Sequence, residues 1–197
     1  MKIDTLELGP IQTNCYIVYN EGAEEAVVID PAGEAEKIKQ ALDGKKAAAV
    51  LLTHGHFDHT GALSAFAGTP IYMHPSDDVM LLDPVWSVGE MIGDTAPRPA
   101  ATDYVQEGTK LRLAGLDIQV LHTPGHTLGS VCYRIGDALF TGDTMFRASY
   151  GRTDFPGGDE AELFRSLRRL LRLEKDYIVC PGHGMPTTIF QERELYR

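Results

Sequence analysis

Residues Leu51 to Thr60 read "LLTHGHFDHT", three histidines and an aspartate within six positions, directly after the apolar run "AAAVLL". A continuous apolar run predicts a strand buried on both faces. Polar groups crowded at the end of such a strand point to a site, because strand ends are rigid and the loops that follow them face solvent. His54 and His56 are two apart, so an extended chain points both side chains the same way and can pinch one ion. Asp58 and His59 are adjacent, continue into a helix start, and can turn toward a second ion beside the first. Neither half-site is complete, because each metal wants about four ligands.

Three further candidates recur in the same setting of strand, then loop: His126 in "LHTPGHT", Asp143 in "LFTGDTMF" and His183 in "VCPGHGM". Imidazole nitrogen and carboxylate oxygen suit zinc and similar first-row ions. One carboxylate can bridge two ions about 3.5–4 Å apart. The expectation is therefore two divalent metal ions, zinc first, with iron or manganese as alternatives. His54, His56 and His126 would hold one, Asp58, His59 and His183 the other, with Asp143 as the bridge. A lone loop histidine is usually a surface or capping residue. Seven ligand-type residues gathered at strand ends make that reading poor. His74 and His122 stand outside this pattern and are expected to be structural or to brace a ligand.

Around this centre the chain alternates strands and helices in two similar halves, which implies sheets covered by helices. "KIDTLEL", "NCYIVYN" and "EAVVIDPA" read as strands, and Ala35, Ile38, Lys39 and Leu42 as a helix ended by Gly44. "TGALSAFAG" reads as a short helix capped by Thr60 and closed by Gly68. Residues 75–108 read as a helix plus an irregular excursion, either a lid near a pocket or a surface insertion. Asp159 and Glu162 fit a capping box opening a helix, with Leu163, Phe164, Leu167, Leu170 and Leu171 as its buried stripe and four arginines on its solvated face. No linker divides the chain, so residues 1–197 are expected to form a single domain.

Of the 197 residues 43% are hydrophobic, 18 are Lys or Arg and 28 are Asp or Glu, for a net charge of −10. Clustered basic charge drives binding to nucleic acids and anionic membranes, so neither is an expected partner. No apolar run approaches the roughly 20 residues that span a bilayer. The opening residues do not resemble a signal peptide, which makes cytoplasm the expected location. Cys15, Cys132 and Cys180 are isolated, in strand-like runs, and are expected to be small buried apolar side chains.

"THGHFDHTG" resembles the HxHxDH signature of the metallo-β-lactamase fold superfamily. "TPGHTLGSVCY", "FTGDTMF" and "CPGHG" are similar to its later metal motifs, in the same order, so the resemblance covers essentially the whole chain. It implies an α/β fold: a four-layer αβ/βα sandwich of two mixed sheets flanked by helices, with the metals in a groove at one edge. Within the superfamily "GDTMFRASYGRTDFPGGD" is similar to the small glyoxalase II-like (hydroxyacylglutathione hydrolase-like) hydrolases. A thiol-ligand β-lactamase would have Cys where Asp143 stands, and a flavodiiron protein Glu at the place of His56.

This likeness implies a dinuclear metal-dependent hydrolase acting on a small-molecule thioester. Asp58 would be catalytic, accepting a hydrogen bond from the attacking hydroxide and orienting it. Arg147 and Arg152 are candidates to bind a substrate carboxylate, since arginine grips carboxylates in a bidentate fork, and Tyr150 is a further candidate contact. The alternative for Arg152 is a pair with Asp154 or Asp159 that stiffens the loop. The glyoxalase II family holds glutathione with basic and tyrosine residues; Arg152 stands at one of the basic positions and Asp154 at a tyrosine position. The rival function is a mononuclear iron sulfur dioxygenase, whose "GRTDF" loop also looks like this one, with His54, His126 and Asp143 on the iron.

Overall fold

A computed structural model describes residues 1–195. The first half runs β1 (Lys2–Leu8), β2 (Thr13–Tyr19), β3 (Glu25–Ile29), α1 (Ala35–Ala41), β4 (Lys46–Leu51), α2 (Phe57–Thr60), β5 (Ile71–Met73) and β6 (Asp103–Tyr104). The second runs β7 (Lys110–Leu113), β8 (Leu116–His122), β9 (Val131–Ile135), β10 (Ala138–Gly142), α3 (Glu160–Leu170), β11 (Ile178–Pro181), β12 (Thr187–Thr188) and α4 (Ile189–Leu195). Each half builds one six-stranded sheet. The first is ordered β1 to β6, antiparallel as far as β3 and parallel beyond it. The second is ordered β12-β11-β10-β9-β8-β7, with β10 and β11 its one parallel pair.

Side-chain alternation with period two explains the layering. Along β2, Tyr16 and Val18 enter the core between the sheets while Cys15 and Ile17 face the other way. Along β3, Val27 and Ile29 point inward, whereas Ala26 and Val28 meet Ile38 of α1 on the outer face. The second sheet repeats this. Tyr133 and Phe140 face the central core, and Cys132 and Leu139 pack against Leu163, Leu167 and Leu170 of α3. The central strands, β2 and β3 in the first sheet and β9 and β10 in the second, are buried on both faces, which is why they read as continuous apolar runs. Two buried tyrosines stitch the sheets together: Tyr16 Oη donates to Pro181 O at 2.6 Å and Tyr133 Oη to Leu52 O at 2.8 Å. The three cysteines are buried and free, as expected, and burial pushes their thiol pKa values up. The result is the α/β four-layer sandwich that the resemblance implied.

Three local expectations change. The helix expected to start at Thr60 starts at Phe57, and Thr60 ends it. Its hydroxyl bonds back to His56 O at 3.1 Å, the usual way a threonine inside a helical turn satisfies itself. A separate 3₁₀ turn, Leu63–Phe66, follows. The capping box of α3 is half formed. Asp159 Oδ1 accepts from Glu162 N at 2.9 Å, but Glu162 turns to Arg165 and the Asp159 N–H goes to Gly125 O. Residues 75–108 hold two 3₁₀ turns, Pro75–Leu81 and Gly89–Ile92, and the short edge strand β6, with no α-helix. Pro84, Pro97 and Pro99 limit regular helix there.

Candidate metal centre and its cleft

The candidate ligands converge from the strand ends of both sheets. His54 and His56 follow β4; Asp58 and His59 lie in the first turn of α2. His126 comes from the loop after β8, Asp143 from the tip of β10 and His183 from the loop after β11. Three ligand groups result, each with its candidate atoms within 4.8 Å of one another: His54, His56 and His126; His54, His59 and Asp143; and Asp58, His59 and His183. Asp143 lies between the expected half-sites. Its Oδ1 is 3.3 Å from His59 Nε2, and its Oδ2 is 3.5 Å from both His126 Nε2 and His183 Nε2.

Hydrogen bonds set which nitrogen each imidazole turns inward. Asp30, just past β3, accepts from Thr53 N at 2.8 Å and from Thr53 Oγ1 at 2.7 Å, and takes His59 Nδ1–H at 2.9 Å. The Thr53 hydroxyl, its proton given to Asp30, accepts from His54 Nδ1 at 3.1 Å. His126 Nδ1 donates to Arg152 O at 2.7 Å. With Nδ1–H committed, each of these rings keeps its Nε2 lone pair for the centre. His54 Nε2, His56 Nε2, His59 Nε2 and Asp143 Oδ1 are buried without a hydrogen-bond partner. Each such orphan costs about 1–3 kcal/mol. His56 Nδ1 and His126 Nε2 face each other at 2.9 Å, a separation that calls for a shared proton or cation. An imidazole and carboxylate donor set with its lone pairs unspent fits divalent first-row ions.

The two half-sites differ electrically. Burial, with His59, His56 and His126 adding to it, holds His54 well below its ordinary pKa. Burial and then His126 push His56 down to about 3. At His183 burial also pulls downward, but the hydrogen bonds to Asp143 and Asp58 outweigh it and lift the pKa to about 9. His59 is raised too, since Asp58, Asp143 and Asp30 overcome its burial. For Asp58 and Asp143 burial works upward, but His59 and His183 hold both carboxylates well below the usual range.

Above the centre opens a cleft of about 470 Å³. His56, Asp58, His126, Asp143 and His183 form its floor, and Ile11, Val88, Met91, Ile92, Phe146 and Phe155 its walls. Of the expected substrate contacts, only Arg152 lines it. Its guanidinium is forked onto Asp154, Nε–Oδ1 and Nη2–Oδ2 both 2.6 Å, and lies 3.9 Å over the Phe155 ring. Arg147 is exposed and does not line the cleft. Tyr150 packs edge-on against Phe164 of α3, centroids 5.1 Å apart, and also stands outside the cleft. His74 and His122 stack face to face at 4.2 Å and 3°, away from every ligand group. His122 Nε2 donates to Leu128 O at 3.0 Å, and burial, then His122, pushes His74 down to about 4.

The Metallo-beta-lactamase superfamily pattern matches residues 8–183. The chain belongs to this superfamily. Its members are generally hydrolytic enzymes with a metal site, and membership together with the His/Asp cluster implies divalent metal ions. Hydroxyacylglutathione hydrolase GloC of Haemophilus influenzae is 36% identical, over 98% of this chain and 95% of that protein. Among solved structures, BLEG-1 B3 metallo-beta-lactamase superposes with a TM-score of 0.92 at 37% identity, over 98% and 97% of the two chains. TTHA1623, in a di-iron-bound form, gives 0.84 at 40% identity over 96% of each chain. ETHE1 from Myxococcus xanthus gives 0.77 at 30% identity, over 98% of this chain and 82% of its own. Among the described residues no helix is long and apolar enough to cross a membrane.

Several residues that brace this superfamily site escaped the sequence reading. Asp30 ends an apolar strand as Asp143 does, and that parallel was there to be seen. Thr13 Oγ1 donates to Asp58 Oδ2 at 2.7 Å. Asp77, fully buried, accepts from Thr127 Oγ1 and from Gly129 N, both at 2.6 Å, and from the backbone of Gly55. It thereby ties the loop between His54 and His56 to the loop of His126. Glu192 of α4, also buried, accepts from Ala148 N at 2.9 Å and from Thr187 Oγ1 at 2.6 Å, holding the loop after β10. Thr13, Asp77 and Glu192 carry no motif, because the loops they hold near the centre lie 44 or more residues away: Asp58 for Thr13, Thr127 for Asp77 and Ala148 for Glu192.

Proposed function

We propose that the protein is a metal-dependent hydrolase that cleaves small thioesters, glyoxalase II-like, with two divalent ions at the His/Asp centre. The carrying observation is Asp143 Oδ2 lying 3.5 Å from both His126 Nε2 and His183 Nε2, with the buried lone pairs around it unspent, at the floor of an open cleft. The likeness to the hydrolase GloC supports the substrate class. His54, His56 and His126 would hold one ion and Asp58, His59 and His183 the other, Asp143 between them. Ions bound there supply Lewis acidity and a water whose pKa is lowered to about 7. Asp58, fixed by the Thr13 hydroxyl, accepts a hydrogen bond from the attacking water and aims it at the carbonyl. A thiolate leaves readily, so no protein acid is required at the leaving group. Zinc is the first candidate, and the di-iron form of TTHA1623 keeps iron beside it. Residues 75–108 serve in this reading as a fixed cleft wall within a single domain, with Phe57 N bonded to Ser87 O at 3.0 Å. The expected setting is the cytoplasm and the expected partner a small molecule.

The likeness to ETHE1 favours a second reading, a mononuclear iron sulfur dioxygenase using His54, His126 and Asp143. Elemental analysis of protein purified without chelator, followed by thioester turnover, separates the two. About two ions per chain with thioester cleavage is the expected result. One iron per chain, no cleavage, and oxygen uptake with glutathione persulfide overturns it.

A further inference from the structure

We infer that the cleft selects thioesters whose arm is apolar and uncharged, and that Asp154 sets this preference by occupying the one arginine that, among the described residues, lines the cleft. The inference rests on the thioester-hydrolase reading and names the substrate class of that same site.

The walls carry the first half of the argument. Ile11, Val88, Met91, Ile92, Phe146 and Phe155 are aliphatic or aromatic and surround the His/Asp floor. Ile11, Met91 and Ile92 are 50%, 73% and 55% exposed, apolar surface left uncovered directly over the centre. Val88 holds φ +56°, a left-handed conformation that a β-branched residue rarely adopts, and yet is almost wholly buried at the cleft wall. Such strain persists where the surroundings over-determine it, and it gathers at functional sites. An arm laid along these walls gains by leaving water, in proportion to the apolar area covered.

The charges carry the second half. Among the described residues Arg152 is the only Lys or Arg lining the cleft. Its Nε–H and one Nη2–H lie on Asp154, and its plane covers the Phe155 ring. A substrate carboxylate must share this guanidinium with an internal carboxylate already in bidentate geometry, or displace it. It must do so on a chain of net charge −10. Glutathione carries two carboxylates that must compete with Asp154 for this guanidinium, whereas an uncharged thioester meets no such competition. The reaction needs no co-reactant beyond water: water adds to the carbonyl carbon, the C–S bond breaks, and a carboxylic acid and a thiol leave.

The test is a chain-length series on the metal-loaded protein, acetyl to butyryl to hexanoyl thioesters of N-acetylcysteamine, with S-D-lactoylglutathione alongside. Expected is a kcat/KM that rises about threefold per added methylene, the worth of a largely buried CH₂, with the hexanoyl thioester cleaved better than lactoylglutathione. Ile92→Asp, at an exposed position, should flatten the series. Asp154→Asn frees the guanidinium and should shift the ratio of lactoylglutathione to hexanoyl turnover roughly tenfold toward glutathione. A flat series, or lactoylglutathione preferred with a ratio unmoved by Asp154→Asn, overturns the inference. Calorimetry with the matching uncleavable S-alkyl thioethers of N-acetylcysteamine and with S-methylglutathione keeps the two failures apart. If no thioester is cleaved, the hydrolase reading falls, while the same stepwise gain in thioether affinity, or its absence, still decides what the cleft selects.

Discussion

The two halves of the centre are assembled in opposite ways. The first sheet delivers His54, His56, Asp58 and His59 from one strand end and one helical turn, braced from within that sheet by Asp30 on the parallel neighbour. The second sheet delivers His126, Asp143 and His183 singly, from three loops. Their positions depend on backbone contacts: between the sheets Asn14 N bonds to Gly182 O at 2.7 Å and Thr13 bridges His183, and within the second sheet Gly182 N bonds to Gly142 O at 2.8 Å. Gly182 is required at that seam, since a Cβ there would come within 2.1 Å of Asp143 Oδ1 and 2.8 Å of His59 Cε1. One half of the centre is local chain geometry. The other half exists only once the sheets dock.

The largest effect should come from the residue on which the halves meet. Asp143→Asn removes a shared charge and leaves an amide nitrogen facing imidazole lone pairs. Expected is loss of both ions by elemental analysis and a fall in activity on the order of a thousandfold, several kcal/mol of lost charge stabilisation. His183→Ala should leave about one ion per chain. Equal metal loss in the two variants would mean that Asp143 is not shared.

Asp77 tests the seam from outside the ligand set. Asp77→Ala strands the Gly129 and Gly55 amides, leaves the Thr127 hydroxyl with Ser130 Oγ alone, and frees the His126 loop from the His54–His56 loop. Zinc affinity should drop about 10–100-fold, the usual cost of losing a group that braces a metal ligand. The visible spectrum of the cobalt-loaded protein should change with it. A lower melting temperature with affinity and spectrum unmoved would reduce Asp77 to a packing residue.

Acid should separate the half-sites by another route. In the metal-free protein His54 and His56 are depressed and uncharged at neutral pH, so neither ring has an imidazolium proton for an ion to displace. His59 and His183 are raised, His183 to about 9, so an ion beside Asp58 must expel their protons. Between pH 8 and 6 affinity there falls about tenfold per unit for each proton displaced. The ion at Asp58, His59 and His183 is expected to leave first, read as metal per chain after dialysis at each pH. Simultaneous loss of both ions would erase the electrical difference between the halves.

How much of this was legible follows from the same asymmetry. The crowded run from His54 to His59 announces itself, and its period-two spacing already says which side chains point together. His126, Asp143 and His183 were found because each follows a strand-like run, a local signal, and ligand chemistry alone suggested how to divide them between two ions, but the contacts by which they meet are tertiary. Arg147 and Tyr150 show the limit. Their loop reads as one stretch of sequence, yet Arg152 turns to the cleft and Tyr150 to α3, a choice made by Phe164 and Asp154 through packing. The start of α2 was placed three residues late because Thr60 suits a cap in isolation. Inside the turn its hydroxyl has His56 O to bond instead.

The smallest predicted effect concerns the scaffold behind the second half. Asp159 caps α3 through Glu162 N, and α3 touches the His126 loop through the Asp159 N–H on Gly125 O. Asp159→Ala removes the side-chain cap and leaves that backbone bond intact. The cost should be about 1 kcal/mol, typical of a lost N-cap, or roughly 2–4 °C in melting temperature for a chain of this size. Zinc affinity should stay within experimental error, because the constraint on the His126 loop is carried by backbone and by Asp77. A drop in affinity comparable to that of Asp77→Ala would show that the helix behind the second sheet holds the ligand loop in place, and that the scattered half of the centre is braced from behind as well as across the seam.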